Sequence, residues 1–378
     1  MIPLFSTHTL FSVSTDAFLA SYSSAGNFLW VQAFFNATDP AFMHLAVGGN
    51  GTLYAGGVFG TSTDMDPSAT TATITGHGSG LDNFIAAYNS TNGNYKWAYD
   101  FGGTGADNLM GLALDNTENI FVCGSFKNTV DFDPGASTVN LISAGAQDAF
   151  IAKYDSAGNF NWAKKFGNSG YDEAAKILCD GVDGIYFCGR YTTNIDMDAS
   201  AGTHLLFNNG SSDVFIARYD LAGNYIWSFG MGSNGTDYGS DIQLCANGDL
   251  HLMGSFQSAM DCDFSSGSHT LLANQNFDFF FARYDAITIG LNDTKFSETD
   301  IVIYPNPAKD KIYFILNKHT QENYAVNFFN ILGENVKSLA INSETNSIDI
   351  NNLTNGIYFI SVRSSGGQLF SRKLVIER

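Results

Sequence analysis

Four Asp-x-Asp pairs are the residues in this chain whose type and spacing could do chemistry. The pairs are Asp64 and Asp66, Asp131 and Asp133, Asp196 and Asp198, and Asp261 and Asp263. Alternation along an extended strand places both carboxylates of a pair on one side and the apolar residue between them on the other. Two carboxylates held close together repel each other unless a cation or several hydrogen-bond donors lie between them.

Two interpretations of these pairs remain open. Calcium prefers oxygen ligands, and backbone carbonyls and water could complete its shell at such a turn. Alternatively, each Asp caps its own turn by accepting bonds from nearby backbone N–H groups. A full calcium loop would show more oxygen-bearing residues at fixed offsets, whereas Pro-Gly-Ala or Ala-Ser follows here. Calcium is therefore the one candidate cofactor, and turn capping is the competing explanation.

Catalytic groupings are weak elsewhere in the chain. Glycosidases need two or three carboxylates that converge on one pocket. Three acids, Glu118, Glu173 and Asp241, interrupt the repeat described below, but nothing in the sequence pairs them. The seven histidines show no metal-binding or triad spacing. We therefore expect a non-enzymatic protein without catalytic residues. The alternative is a secreted enzyme, a glycan-acting hydrolase or a quinoprotein-like one, with its active site in other loops or in a missing N-terminal part.

The elements that must position these residues come from a repeat of 65 or 66 residues. Its copies begin at Asp16, Asp82, Asp148, Asp213 and Asp278. Each copy opens with the pattern D-x-F-x-A-x-Y, whose alternation is typical of a half-buried strand. A turn containing glycine follows, and then a second strand containing tryptophan. Because the opening Asp recurs in five equivalent settings, we interpret it as architectural.

The repeat predicts an all-β fold. Four or more antiparallel strands in about 65 residues make one blade of a β-propeller. Residues 1–285 would contain four full repeats and partial first and last ones. The chain begins inside a repeat, so we expect its N-terminus to be incomplete. Cys123 and Cys188 hold equivalent positions one unit apart, too far for a disulfide, and are interpreted as small buried hydrophobes.

Tryptophan marks the second strand of the repeat. The spacing A-x5-G-x3-W, with one insertion in the second copy, ends at Trp30, Trp97, Trp162 and Trp227. It resembles the tryptophan-docking motif of quinoprotein-type propellers, which implies that each Trp packs between neighbouring blades. The D-x-F-x-A-x-Y strand and the Asp-x-Asp-Pro turn resemble the bacterial SBBP-type propeller repeats of secreted proteins. These motifs are specific for fold rather than for activity.

Charge and pattern change after residue 285. Residues 1–300 carry 28 Asp and 3 Glu against 10 Lys or Arg, whereas residues 301–378 have a net charge of +2. We interpret residues 286–300 as a linker and residues 301–378, with alternating strands and turn dipeptides, as a small Ig-like β-sandwich. The acidity argues against a nucleic-acid partner. The chain has no run of 18 apolar residues, so we expect no membrane span.

The last 78 residues contain a set of motif residues in a fixed order. They are Tyr304, Pro305, Asn306, Pro307, Asp310, Gly333, Gly356, Tyr358 and Lys373. The set resembles the type A C-terminal sorting domain of the type IX secretion (Por secretion) system of Bacteroidetes. The resemblance implies export through the periplasm, with the outer-membrane translocon and the sortase as partners, and a secreted or surface-attached location. Such cargo needs an N-terminal Sec signal, which this chain does not show.

The whole sequence thus predicts a secreted or cell-surface scaffold. Its propeller loops would bind an extracellular ligand or glycan, or serve a structural role, and its C-terminal domain would direct export.

Overall fold

The protein is all-β in the part of the chain that its computed structural model describes. That part comprises residues 9–10, 17–34, 41–245, 247–264, 268–274, 276–285, 301–316, 324–330, 335–341, 347–364 and 369–378. Within these ranges there are strands and turns but no helix. The chain divides into two compact units, the first covering most of residues 1–283 and the second covering residues 284–378. The predicted linker at 286–300 lies outside the described residues, as does most of the partial repeat before Asp16.

The first unit is a succession of short antiparallel strands. In chain order they are β1 (Ala17–Tyr22), β2 (Phe28–Phe34), β3 (Ala41–Val47), β4 (Thr52–Phe59), β5 (Ser62–Asp64), β6 (Thr73–Thr75), β7 (Asp82–Asn89), β8 (Tyr95–Gly103), β9 (Asn108–Leu114), β10 (Ile120–Phe126), β11 (Thr129–Asp131), β12 (Asn140–Ile142), β13 (Asp148–Tyr154), β14 (Phe160–Phe166), β15 (Glu173–Cys179), β16 (Gly184–Tyr191), β17 (Ile195–Asp196), β18 (Leu205–Leu206), β19 (Asp213–Asp220), β20 (Tyr225–Met231), β21 (Tyr238–Leu244), β22 (Leu250–Phe256), β23 (Ala259–Asp261), β24 (Thr270–Leu272) and β25 (Asp278–Tyr284).

These strands form sheets whose order follows the chain. Strands β3, β4, β7 and β8 follow one another in a six-stranded sheet that β11 and β12 extend beyond β8. Strands β9, β10, β13 and β14 make a four-stranded sheet, and β15, β16, β19 and β20 make another. Strands β21, β22 and β25 repeat the pattern with three strands, and β1 pairs with β2. A small hairpin follows the second strand of each arrangement: β5–β6, β11–β12, β17–β18 and β23–β24. The first strands, β3, β9, β15 and β21, contact one another in succession.

The strand that opens the repeat is buried on both faces in β7, β13 and β19, so the expectation of a half-buried strand is wrong for these copies. In β1 and β25 residues such as Phe18, Phe279 and Phe281 are exposed. In β7, Phe84 and Tyr88 pack into one apolar cluster with Phe34 of β2. Ile85 and Ala87, on the other face, pack with residues of the following sheet. Alternation along this strand therefore separates two cores rather than core and solvent. A nearly continuous apolar run is the pattern expected of a strand covered on both sides.

Each of the first three repeat tryptophans lies against a glycine turn of the following sheet. Trp30 Nε1 donates a hydrogen bond to the Ser90 carbonyl oxygen at 3.0 Å. A Cβ built on Gly93 would lie 2.8 Å from the Trp30 ring, and one built on Gly158 would lie 3.0 Å from Trp97. Trp162 and Gly223 repeat the contact at 3.0 Å. The turn thus needs glycine for two reasons. Its φ is positive, and the indole fills the space that a side chain would occupy.

In the described residues of the second unit, seven strands form two sheets around one core. The strands are β26 (Ile301–Tyr304), β27 (Lys311–Leu316), β28 (Tyr324–Phe329), β29 (Asn335–Ile341), β30 (Ser347–Asp349), β31 (Gly356–Ser364) and β32 (Leu369–Ile376). One sheet has the order β26-β27-β30 and the other β29-β28-β31-β32. Ile312 and Ile348 of the first sheet share an apolar cluster with Val326, Ile360 and Leu374 of the second.

We predict that Gly158→Ala will cost more stability than Gly26→Ala. Both glycines have a positive φ, +83° and +79°, so both variants carry similar backbone strain. A Cβ at residue 158 would also lie 2.6 Å from Tyr99 and 3.0 Å from Trp97, whereas nothing lies within 4 Å of one at residue 26. Urea titrations should show a free energy of unfolding about 1–3 kcal/mol lower for Gly158→Ala than for Gly26→Ala. Equal losses would show that the indole does not limit this turn.

Candidate functional site

The first aspartate of each Asp-x-Asp pair caps the small hairpin that carries it. Oδ1 of Asp131 accepts hydrogen bonds from the N–H groups of Asp133 at 3.1 Å and Val139 at 2.8 Å. The same bonds, to the N–H groups two and eight residues later, occur at Asp64, Asp196 and Asp261, at distances of 2.8–3.1 Å. One carboxylate oxygen thus holds both ends of the loop between the two short strands.

The second aspartate of the pair caps the tip of the same loop. Asp66 accepts from the Ser68 N–H at 2.9 Å, Asp133 from the Gly135 N–H at 2.8 Å, and Asp198 from the Ser200 N–H at 2.9 Å. Asp263 holds the corresponding position in the last hairpin. Among the residues that the structure describes, no group of three or more His, Cys, Asp and Glu is arranged to hold a metal. The contacts seen are those of capped turns, and calcium at these turns stays a prediction.

The residue between the two aspartates anchors the hairpin in the core. Met65, Phe132, Met197 and Cys262 are all buried. Tyr88 Oη donates to the Met65 carbonyl oxygen at 3.1 Å, and Tyr154 Oη donates to that of Phe132 at 2.9 Å. Tyr219 makes the same bond to Met197. The tyrosine that ends D-x-F-x-A-x-Y therefore fastens each of these three hairpins to the long strand that follows it in the chain.

The aspartates that open the three middle repeats, Asp82, Asp148 and Asp213, each belong to a pair of buried carboxyl groups. The Gly103 N–H lies between Asp82 and Asp107 and donates to both, at 3.1 Å and 2.9 Å. Asp148 with Asp172, and Asp213 with Asp237, hold the equivalent positions, and all six side chains are fully buried. The second member of each pair ends the glycine-rich loop, in GGTGAD, GNSGYD and GSNGTD. Recurrence at this fixed offset was the signal in the sequence that could have revealed these pairs.

Burial raises the pKa of at least one carboxyl group in each of these pairs. It raises the pKa of Asp107 to about 7, and the neighbouring Asp82 carboxylate adds to the rise. Burial likewise raises the pKa of Asp172 and of Asp213 to about 6, again with a contribution from the paired aspartate. In the described structure the Oδ1 atoms of Asp148 and Asp213 are buried and accept no hydrogen bond. Lys165 forms an ion pair with Asp148 at 3.3 Å. Two carboxylates in one buried site repel each other, so the pKa of one of them rises.

Each of the three singular acids contacts a polar partner that is not a carboxylate. Glu118 accepts hydrogen bonds from the Asn50 N–H at 2.8 Å and from Tyr54 Oη at 3.0 Å, in the preceding sheet. Burial and this carboxylate raise the pKa of Tyr54 to about 12. Glu173 forms an ion pair with Arg190 at 3.1 Å, and Asp241 forms one with Lys176 at 3.4 Å. The sequence could not show these pairs because each joins positions far apart in the chain.

Arg190 is held between two aromatic rings. Its guanidinium carbon lies 4.6 Å from the centroid of Tyr171 and 4.3 Å from that of Tyr238, which belongs to the following sheet. Stacking of this kind suits the flat, weakly hydrated guanidinium group. Glu173 lies opposite Arg190 in the register of β15 and β16. The four side chains therefore form one contact across two sheets.

These residues depart from what the other repeats contain. The cross-strand pair equivalent to Glu173 and Arg190 is Asn108 and Ser125 in the preceding sheet and Tyr238 and Ser255 in the following one. Lys176 directly follows an irregularity in β15, and the residues at the same place in the other first strands are His44, Gly111 and Asp241. Burial and the Lys176 charge lower the pKa of His44. We call Tyr171, Glu173, Lys176, Arg190, Tyr238 and Asp241 the divergent surface.

The motif that opens the second unit is fastened to its last strand. Asn306 Oδ1 accepts from the Val375 N–H at 2.8 Å, and the Ala308 N–H donates to the Val375 carbonyl oxygen at 2.7 Å. The Tyr304 ring stacks on Tyr313 with centroids 5.5 Å apart. Pro305 and Pro307 are exposed on either side of Asn306.

The remaining motif residues lie in the same unit. The Asp310 carbonyl oxygen accepts from the Ile350 N–H at 2.8 Å, and Tyr358 Oη donates to the Thr354 carbonyl oxygen at 3.0 Å. Gly356 opens β31, and Lys373 lies in β32 opposite Phe359. Gly333 lies outside the described residues.

Comparison with known families decides what the second unit is. Residues 302–377 match the family described as the secretion system C-terminal sorting domain. This segment is a type IX sorting domain. It implies interaction with the type IX secretion machinery, and it sends the protein to the cell surface or the extracellular space. In the described ranges no helix is suited to cross a membrane.

Two curated relatives match parts of the chain. An uncharacterized WD repeat-containing protein of Acanthamoeba polyphaga mimivirus is 25% identical over 226 residues, which is 52% of this chain and 16% of the relative. The regulatory protein FlaEY of Caulobacter vibrioides is 26% identical over 169 residues, which is 43% of this chain and 17% of the relative. The chain thus spans about one sixth of the curated relatives that it matches.

Solved structures give only distant similarity. The extracellular domain of a one-component system from B. thetaiotaomicron is 13% identical, with 95% of this chain and 71% of that chain covered and a TM-score of 0.17. Dimeric latent PorU from Porphyromonas gingivalis is 11% identical, with 78% and 31% covered and a TM-score of 0.16. Superpositions at this level establish neither a shared fold nor a shared activity.

We predict that the stability of the first unit falls as pH rises from about 5 to about 8. The raised pKa values of Asp107, Asp172 and Asp213 mean that the folded state binds more protons than the unfolded state in this window. Their stabilisation is present at low pH and is lost as pH rises through about 6 to 7. Calorimetry should give a melting temperature several degrees lower at about pH 8.

Salt provides the control for this pH effect. General repulsion within an acidic chain is screened at about 1 M salt, whereas buried pairs are screened much less. The fall in melting temperature should therefore persist in high salt. A melting temperature that does not fall between the two pH values would contradict protonation of the buried pairs.

The calcium hypothesis predicts heat of binding when calcium is titrated into chelated protein. Both carboxylates of each Asp-x-Asp pair would then serve as ligands in addition to capping the turn. Asp131→Asn together with Asp133→Asn should reduce the number of sites by one, while the same change at Asp155, a turn residue outside the pairs, should leave it unchanged. Isothermal titration without heat at millimolar calcium would remove the hypothesis.

Proposed function

We propose that residues 1–285 form a β-propeller of SBBP-type repeats and that residues 301–378 form an Ig-like sandwich. Three observations support the propeller: four antiparallel strands in chain order per repeat, apolar cores between successive sheets, and contacts between successive first strands. In a propeller these first strands would line the central channel. The two sheets of the second unit, packed on one core, support the sandwich.

On this architecture the protein acts as a non-enzymatic binding scaffold on the cell surface or in the medium. One observation carries the proposal: the polar residues that recur are engaged in architecture, whereas a group that departs from the repeat, which includes Glu173, Lys176 and Asp241, lies together on the divergent surface. The Asp-x-Asp carboxylates cap hairpins, and the opening aspartates Asp82, Asp148 and Asp213 are fully buried. Lys176 and Asp241, by contrast, are exposed by 39% and 45% of their side chains, so they can reach a ligand.

In this proposal the C-terminal domain acts as the sorting signal. The outer-membrane translocon would recognise it, and the sortase would act on it before the protein is attached or released. The exposed segment from Tyr304 to Pro307, fastened to β32 through Asn306, offers a rigid feature for such recognition.

Deletion of residues 301–378 should leave the protein in the periplasm of its native cell. Fractionation followed by immunodetection with an antibody against the first unit would measure its location. Lys309→Ala in the full chain, at an exposed position outside the core of the sorting domain, is the control and should be exported normally. Surface display of the deletion variant at wild-type levels would overturn the role of the domain.

A further inference from the structure

The divergent surface lies where two neighbouring first strands meet. Strands β15 and β21 contact each other, and β16 also contacts β21. Ala174 and Ile177 of β15 pack into the core shared with the preceding sheet. Lys176, on the opposite side of β15, reaches Asp241 of β21. Arg190 reaches Tyr238 of the same strand. The six residues thus line one junction between the third and fourth sheets.

The fold does not require these residue types at this junction. At the same register the preceding sheet has Asn108 and Ser125 in place of Glu173 and Arg190, and Gly111 in place of Lys176. The strands and their pairing are nevertheless the same. Because the fold does not depend on these polar and aromatic side chains, they are available to bind a ligand.

The charges of the divergent surface cancel. Lys176 pairs with Asp241 and Arg190 with Glu173, so two positive and two negative groups occupy the junction. The chain as a whole has a net charge of −19, which repels polyanions. A cation would have to compete with Lys176 and Arg190. Electrostatics therefore favour an uncharged ligand that forms hydrogen bonds.

The arrangement of donor and acceptor fits adjacent hydroxyl groups. Lys176 Nζ and Asp241 Oδ1 lie 3.4 Å apart, close to the separation of about 3 Å between vicinal hydroxyl oxygens that bond to a neighbouring donor and acceptor. An ammonium group offers only donors and a carboxylate only acceptors, so a hydroxyl, which is both, can bond to either. The pair is partly exposed, so its opening costs little.

Aromatic rings complete the surface. Tyr171 and Tyr238 are partly exposed, and Arg190 between them fixes their orientation. A ring with an apolar face and a polar hydroxyl can contact the C–H face of a sugar while bonding to its rim. Rings that are held in place lose little entropy when a ligand binds.

We propose that the divergent surface is a binding site for neutral glycans, with Lys176 and Asp241 bonding to vicinal hydroxyls and the tyrosine rings contacting the sugar face. This inference rests on the proposed function as a secreted binding scaffold and names its ligand class.

The test uses the full chain and an array of neutral and acidic oligosaccharides, followed by isothermal titration with the best neutral binder. The variant Lys176→Ala with Asp241→Ala should reduce affinity at least about tenfold, while its melting temperature stays close to that of the wild type because both side chains are exposed. His77→Ala with Asp100→Ala removes a partly exposed pair in another sheet, 2.7 Å apart, and should bind like the wild type.

A second variant separates recognition from structure. Tyr238→Phe keeps the ring over Arg190 but removes the hydroxyl, which accepts a hydrogen bond from Arg190 Nη1. It should lower affinity less than loss of the Lys176 and Asp241 pair, and its melting temperature shows whether loss of the internal bond alters stability. No binding of neutral saccharides by the wild type would overturn the inference, as would stronger binding of acidic ones or unchanged affinity in the Lys176 and Asp241 variant. Export is measured separately, so a protein that reaches the surface but binds no glycan would refute the ligand class alone.

Discussion

The first unit depends on sheets that are apolar on both faces. In β7 and β13 almost every side chain is buried, because each sheet lies between two others. Such a sheet has no face to offer to water, and each one is stabilised only when its neighbours cover it. The indole of one sheet and the glycine turn of the next fix how close those neighbours come. The stacking is therefore a property of pairs of repeats, not of any single repeat.

A core built this way leaves little room for polar groups, and the structure supplies partners for those it has. The Asp-x-Asp carboxylates accept the backbone N–H groups that would otherwise be left without partners in the hairpins. The buried pairs accept N–H groups of the glycine-rich loops, but at the junction of two sheets they also bring two acids together. The geometry of the loops therefore makes the stability of the first unit depend on pH. A backbone N–H group between two carboxylates cannot neutralise both negative charges.

Much of the first unit could be predicted from sequence because its signals are local and recur. The period of 65 or 66 residues located every repeat, and the Asp-x-Asp spacing located the small hairpins. Burial of Cys123 and Cys188, both without disulfides, is confirmed. Alternation in D-x-F-x-A-x-Y wrongly predicted that one face of the strand is exposed to solvent. The pattern follows only Phe, Ala and Tyr, so a strand with apolar residues on both faces looks half-buried. The partners of Glu118 and Asp241 could not be found, since those contacts join different sheets at positions 64 to 68 apart in the chain. Glu173 and Arg190 are 17 positions apart on neighbouring strands of one sheet. The sorting domain was recognisable because its motif residues keep their order along 78 residues.

The placement of each core between two consecutive sheets sets how such a chain can change in length. A duplicated repeat brings one more sheet and one more core, and its contacts copy those already present. Length can therefore grow or shrink in steps of one repeat without any new kind of interaction, and free energy would change by a nearly constant increment per step. A single copy can meanwhile alter its first strand, as the one containing Lys176 has, while its neighbours keep the scaffold intact.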